Sequence, residues 1–207
     1  GVQTCALPIS YNRAAMVTQA IEAALGQSRA PVEVVVADDA STDRTAEALA
    51  TLAARDSRIR VIRQSRNSGG VGNWNLAMSE THGDLIAWCS DDDWYRPEHL
   101  DASARYLEEH PDVGLVHSHF VDVVESPLGR ANDYRRMRSL CPLRVTGRNL
   151  FAYLNRYYDW PFHPSTIVMR RSVWESIGPF DPRYQLADTD WFVRAAERFR
   201  SEEHTSE

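Results

Sequence analysis

An apolar run, Leu85-Ile-Ala-Trp-Cys89, breaks off into Ser90 and three adjacent carboxylates, Asp91, Asp92 and Asp93, with Pro97 close behind. A short apolar run bounded in this way is expected to be a buried strand, and it delivers its acids to the edge of a sheet. Carboxylates packed this closely repel and raise one another's pKa unless a cation lies among them. Oxygen-only donors favour Mg²⁺ or Mn²⁺ over Zn²⁺. An acidic turn capping a helix that begins near Pro97 accounts for the same residues. The rest of the chain separates the two readings, because it supplies a second acidic strand end, a glycine-rich loop and a late acid pair.

The chain has 207 residues, 43% of them hydrophobic, enough for one substantial core and for one domain or a large part of one. Its formal net charge of -6 argues against a general nucleic-acid binder. No apolar stretch approaches the length needed to span a bilayer, and the N-terminus lacks the basic-then-apolar order of a signal peptide. A soluble or peripheral protein is expected, cytoplasmic or at the inner face of the membrane. Cys5, Cys89 and Cys141 have neither the number nor the spacing of a disulfide framework or a zinc site, which fits a reducing compartment. Apart from His, every basic side chain is Arg, so a P-loop lysine and a Schiff-base lysine are excluded. Both ends stand apart: residues 1–9 and 200–207 resemble a short sequencing adapter translated from its two strands. Residues 10–199 are therefore expected to be the authentic, partial domain, with non-native termini that add little to the core.

β-rich runs alternate with amphipathic helical stretches, the order that builds a mainly parallel, Rossmann-like sheet in a three-layer α/β/α sandwich. Strands are expected at 32–37, 60–63, 85–89, 113–124 and 166–170. Helices are expected at 13–27, 41–55, 71–81, 97–110, 149–157, 172–177 and 188–199. Between 125 and 148 the periodicity is broken by Pro127, Gly129, Pro142 and Gly147, as in a long functional loop or a disordered stretch.

Open parallel sheets bind ligands at the carboxyl ends of their strands. Asp38 and Asp39, the loop from Asn67 to Gly70, and Asp91 to Asp93 all fall at such ends. A carboxylate after an early strand can accept a hydrogen bond from a nucleobase imide or a ribose hydroxyl. Gly69 and Gly70 let backbone approach a ligand closely and lead into a helix whose N-terminus can face a phosphate.

Taken in order, Tyr11-Asn-Arg13, Val35-Val-Ala-Asp-Asp-Ala-Ser-Thr-Asp43, Asn67-Ser-Gly-Gly70 with Asn75, Ser90-Asp-Asp-Asp-Trp94 before Pro97, and Gly178-Pro-Phe-Asp181 before Asp188 resemble the family 2 inverting glycosyltransferases of the GT-A fold. The resemblance implies a nucleotide-diphosphate sugar donor, a bound Mn²⁺ or Mg²⁺, and a saccharide or lipid-linked acceptor. It also implies that Tyr11 stacks on the base, that Asp39 with Asp38 reads it, and that Asn67, Gly69 and Gly70 lie along the donor. Asp91 falls near the ribose. Asp92 is the first candidate metal ligand and Asp93 the second. Asp188 stands where the family keeps its catalytic base. The chain departs from the pattern at Ser90, where many members carry an acid, at Ala187, where Glu is common, and in its first strand, whose place the adapter-like residues occupy.

A sugar-phosphate nucleotidyltransferase would be expected to open with a glycine-rich, Arg-containing loop and to use Lys, and neither is present. A catalytically inactive nucleotide-sugar binding remnant is the non-enzymatic alternative. His163-Pro-Ser165 is a candidate for lining an acceptor site, and Arg135, Arg136 and Arg138 for a diphosphate clamp or a solvated loop.

Overall fold

The computed structural model describes residues 3–118, 120, 122–126, 129–133, 144–145 and 163–203. Four strands, β1 (Thr4–Ser10), β2 (Glu33–Asp38), β3 (Ile59–Arg63) and β4 (Leu85–Ser90), lie parallel in the order β3-β2-β1-β4. They are connected through α1 (Ala14–Leu25), α2 (Thr45–Arg55) and α3 (Gly69–Ser79), and α4 (His99–Glu109) then leads into β5 (Val113–His117). A hairpin of β6 (Asp122–Ser126) and β7 (Gly129–Asp133) forms a separate two-stranded sheet. The remaining described elements are β8 (Arg144–Val145), β9 (Val168–Arg170), α5 (Arg171–Ile177), α6 (Ala187–Arg198) and β10 (Arg200–Glu203). The main sheet is eight-stranded, in the order β3-β2-β1-β4-β9-β5-β10-β8, with only β9 and β8 antiparallel to the rest.

Side chains alternate across this sheet into two cores. On one face Ala6, Val34, Val36, Leu85 and Ala87 pack under Val17 and Ile21 of α1, Leu49 of α2, and Leu100 and Leu107 of α4. On the other, Leu7, Val35, Ile86 and Trp88 pack under Met78 of α3, Trp174 of α5, and Trp191 and Phe192 of α6. The near-continuous apolar character of β2 and β4 follows, since both of their faces are covered. The expected three-layer α/β/α sandwich with a mainly parallel sheet is what the chain forms.

Three expectations change. The run 113–124 is not one strand: β5 ends at His117, and β6 belongs to the second sheet. Alternating apolarity marks a strand but not a change of sheet. Within the interrupted stretch 125–148, Gly129–Asp133 and Arg144–Val145 are strands. The expected helix at 149–157 and the cluster Arg135, Arg136 and Arg138 lie outside the described residues.

The largest change concerns the ends. β1 sits between β2 and β4, and Cys5, Ala6 and Leu7 are wholly buried. The expectation that residues 1–9 add little to the core is therefore overturned, and β10 likewise pairs with β5 and β8. Pro8 forfeits one ladder donor in this central strand, and the strand nonetheless buries Cys5, Ala6 and Leu7 completely. Leu7→Ala is expected to destabilise the domain by about 2–5 kcal/mol, measured by urea unfolding. A loss under about 1 kcal/mol would show that the strand is dispensable.

Candidate active site

The β1–β2 register pairs Ser10 with Asp38, the β1–β4 register pairs Ile9 with Ser90, and the β2–β3 register pairs Asp38 with Arg63. The carboxyl ends of four parallel strands therefore reach one level. The chain order reverses between β1 and β4, so a crevice is expected outside that pair of strand ends. A hydrogen bond spans it: the Ser10 hydroxyl donates to Asp91 Oδ2 at 2.8 Å.

One nitrogen of Arg13, at the start of α1, lies 2.9 Å from Asp91 Oδ1 and 2.9 Å from Asp92 Oδ2. Two carboxylate oxygens from adjacent residues thus converge on a single cation. Burial pushes the Asp91 carboxyl above the usual carboxylate range, against the pull of the Ser10 hydroxyl and of Arg13. Arg13 is in turn pushed up, by Asp91 first. The donor set fits a hard divalent ion, since both converging atoms are carboxylate oxygens. No group of three or more His, Cys, Asp or Glu converges among the described residues.

Asp93 faces elsewhere. Its Oδ2 accepts a hydrogen bond of 2.6 Å from the Ser165 hydroxyl and lies 3.6 Å from His163 Nδ1. Ser165 Oγ also accepts from the Ser90 amide at 3.0 Å. The structure thus brings Asp91 and Asp92 together and uses Asp93 to tie the acidic turn to the 3₁₀ turn Pro164–Thr166 that precedes β9.

Asp38 and Asp39 are both buried. Asp38 Oδ1 accepts from the Ser41 amide at 3.0 Å, and its Oδ2 is 3.4 Å from Arg63 Nε. Asp39 reaches across to the glycine-rich loop. Its Oδ1 accepts from the Ser68 amide at 2.7 Å, the Ser68 hydroxyl at 3.0 Å and Gln64 Nε2 at 2.9 Å, and its Oδ2 accepts from the Gly69 amide at 2.9 Å. Gly69 is also tied to Asn67 Oδ1 at 3.0 Å, and its φ of 77° is a conformation in which a Cβ would be strained. The N-terminus of α3, which the loop was expected to offer to a phosphate, is instead capped by the Asp39 carboxylate, a favourable charge at that end of the helix dipole. Gly70 lies in the first turn of the same helix.

Tyr11 is 45% exposed at the mouth of the crevice. The loops after β1 and β2 are joined beneath it: Asn12 Oδ1 accepts from the amides of Thr42 at 2.7 Å and Asp43 at 3.2 Å, and the Asn12 amide donates to Ser41 Oγ at 2.9 Å. Asn12 and Ala40 both have positive φ, 56° and 61°. Non-glycine residues in this region mark loops whose geometry is over-determined by their contacts.

Asp188 is half-buried in the first turn of α6, where its Oδ1 accepts from the Thr189 amide at 2.8 Å. Four residues on, Phe192 stacks on Trp88 of β4 with ring centroids 5.5 Å apart, so the face of α6 that carries Asp188 is the one turned to the strand that leads into Asp91. Asn75 of α3 holds the preceding turn, with Nδ2 donating to the Phe180 carbonyl at 2.9 Å and Oδ1 accepting from its amide at 2.8 Å.

Burial pushes Cys5 up to about 12 and Cys89 higher still, so both remain protonated. Sequence reasoning left Ser10, Arg13 and Ser165 without roles in the acidic turn. The one available signal was a cation directly after the first strand, in Tyr11-Asn-Arg13.

A family model described as Glycosyl transferase family 2 matches residues 7–178. An uncharacterized glycosyltransferase of Bacillus subtilis, YwdF, is 29% identical over 199 residues, 93% of this chain and 67% of its own length. Among solved structures, S. aureus TarS 1–349 in complex with UDP aligns with a TM-score of 0.75 at 19% identity, over 99% of this chain and 58% of that one. The mannosyltransferase PcManGT from Pyrobaculum calidifontis, in complex with GDP-Man and Mn²⁺, aligns with a TM-score of 0.71 at 20% identity, over 98% and 54%. The chain therefore spans a little over half of these solved structures, and at such identities the likeness shows the fold, that of the GT-A glycosyltransferases. A family match running from within β1 to the glycine that closes α5, on that fold, shows that the chain belongs to glycosyl transferase family 2.

Proposed function

We propose that the chain is the catalytic domain of a metal-dependent, inverting glycosyltransferase. It moves a sugar from a nucleoside-diphosphate donor, foremost a UDP-sugar, to a hydroxyl of a saccharide or lipid-linked acceptor. The observation that carries this reading is the convergence of Asp91 Oδ1 and Asp92 Oδ2 on one cation at the crevice between β1 and β4. PcManGT with Mn²⁺ and GDP-Man, and TarS with UDP, support it as neighbours of the same fold.

In this reading Tyr11 stacks on the base, and Asp39 accepts from the imide N–H through Oδ2, which has a single partner among the described residues and spare acceptor capacity. Asn67, Gly69 and Gly70 line the base side of the crevice, in the loop that Asp39 holds through the Ser68 and Gly69 amides. Asp91 faces the ribose. Asp92, the first-choice ligand, would hold the ion with Asp91 beside it as the other acid of the pair, Asp93 being the second candidate, and the bound ion would stabilise negative charge on the departing diphosphate. Asp188 removes the proton from the acceptor hydroxyl on the opposite face of the sugar, and a single base gives inversion. Against the inactive-remnant alternative, β1 supplies the first strand whose place the adapter-like residues occupy. We place the protein in the cytoplasm, at the membrane face where the acceptor is lipid-linked. No helix among the described residues is long and apolar enough to cross a membrane.

Competition among UDP, dTDP, GDP and ADP tests the nucleotide assignment. UDP and dTDP are expected to bind about tenfold or more tighter than ADP, the scale of one hydrogen bond to a charged acceptor. A preference for ADP would contradict the role of Asp39.

A further inference from the structure

Arg13 stands at the convergence point of the acid pair, and nothing in the reaction assigned above uses it there. Its backbone is fixed on both sides: the amide donates to Thr45 Oγ1 at 3.1 Å, and the carbonyl accepts from Val17 in the first turn of α1 at 3.0 Å. Its side chain is 48% exposed, whereas that of Asp91 is only 7% exposed. The guanidinium therefore rides on a long, flexible stem at the surface, and its withdrawal would leave the backbone in place. The buried carboxylate beneath it cannot be left uncompensated beside a second carboxylate.

We propose that Arg13 is a place-holding cation: it neutralises the Asp91–Asp92 pair when no divalent ion is bound, and it yields those oxygens when an ion arrives together with a nucleoside diphosphate. The inference rests on reading the acid pair as the metal site. A guanidinium and a divalent ion cannot share the same two oxygens, because the two cations would repel at contact distance. The ion alone must therefore displace a positive charge that has nowhere favourable to go. With a diphosphate present, the released guanidinium gains an anionic partner of suitable geometry. Arg13 thereby couples the two ligands: the ion binds weakly by itself and tightly with nucleotide, and by linkage the nucleotide gains equally from the ion.

The test is Mn²⁺ binding, followed by the electron paramagnetic resonance signal of the free ion, with and without UDP, for the wild type, Arg13→Gln and Arg13→Lys. Arg13→Gln is expected to bind Mn²⁺ alone about tenfold more tightly than the wild type, a half-exposed cation having been removed from two carboxylates. Its additional tightening by UDP should shrink. Arg13→Lys, which keeps the charge, should stay near the wild type. If Arg13→Gln binds Mn²⁺ alone no better than the wild type while the wild type still binds Mn²⁺ with UDP, the place-holding role is overturned and the metal site stands. If the wild type binds no Mn²⁺ even with UDP, both are overturned. Should Arg13→Gln unfold without metal, Mn²⁺ alone must restore its cooperative melting, and failure to do so overturns the proposal.

Discussion

Asp188→Asn is expected to lower sugar transfer by about 10²-fold or more, the usual scale for removal of a general base, with nucleotide and metal affinity close to those of the wild type. Such a split separates a base from a ligand-binding residue. Among the described residues no Arg or His pairs with Asp188, and its only tie is the amide of the next residue, so an amide in its place disturbs little of the fold. Asp190 is the rival acid in the same turn, but it is committed elsewhere. Arg194 Nε donates to its Oδ2 at 2.9 Å, and the same guanidinium donates to the Ile177 carbonyl at 2.9 Å and the Pro179 carbonyl at 3.2 Å. Asp190→Asn is therefore expected to cost at most about 1 kcal/mol of stability and little activity. A deeper loss of transfer at Asp190 than at Asp188, with folding intact, would reassign the base.

Asp92→Asn is expected to weaken Mn²⁺-dependent UDP binding by about 10²-fold, because in the proposed reading it would take one of the two carboxylates from the ion that would stabilise the diphosphate charge. The Asp92 side chain is 51% exposed, so the change is felt at the site rather than in the core. Asp93→Asn is expected to cost far less nucleotide affinity, since Asp93 anchors Ser165 instead of meeting its two neighbours. Melting curves of that variant should show the loosened link between the acidic turn and β9. An equal or larger loss of UDP affinity at Asp93 would move the ion to the His163 side of the turn.

The strands that carry the acids were legible because physics writes them into short windows. β2 and β4 are apolar on both faces and end in carboxylates, and such runs can be recognised without knowing their neighbours. The layer order followed from the alternation of these runs with amphipathic helices. What stayed hidden depended on distance along the chain. Arg13 meets Asp91 and Asp92 across 78 and 79 residues, and Asp39 meets Gly69 across 30, so neither partnership leaves a local pattern. The glycine-rich loop was expected to lead into a helix N-terminus that can face a phosphate, and the hold of a buried acid on its Ser68 and Gly69 amides left no local trace. β1 was discounted because its residues resemble an adapter, yet Cys5, Ala6 and Leu7 fill the central slot between two apolar strands. The division of 113–124 between two sheets could not be seen because both parts alternate alike.

Isothermal titration of UDP into the protein, first with Mn²⁺ and then after EDTA, addresses most directly the claim that the strand-end acid pair holds the ion that binds the donor diphosphate. Affinity is expected to fall by about 10²-fold on chelation and to return when Mn²⁺ is restored. Equal affinity in EDTA would contradict a metal-bridged donor.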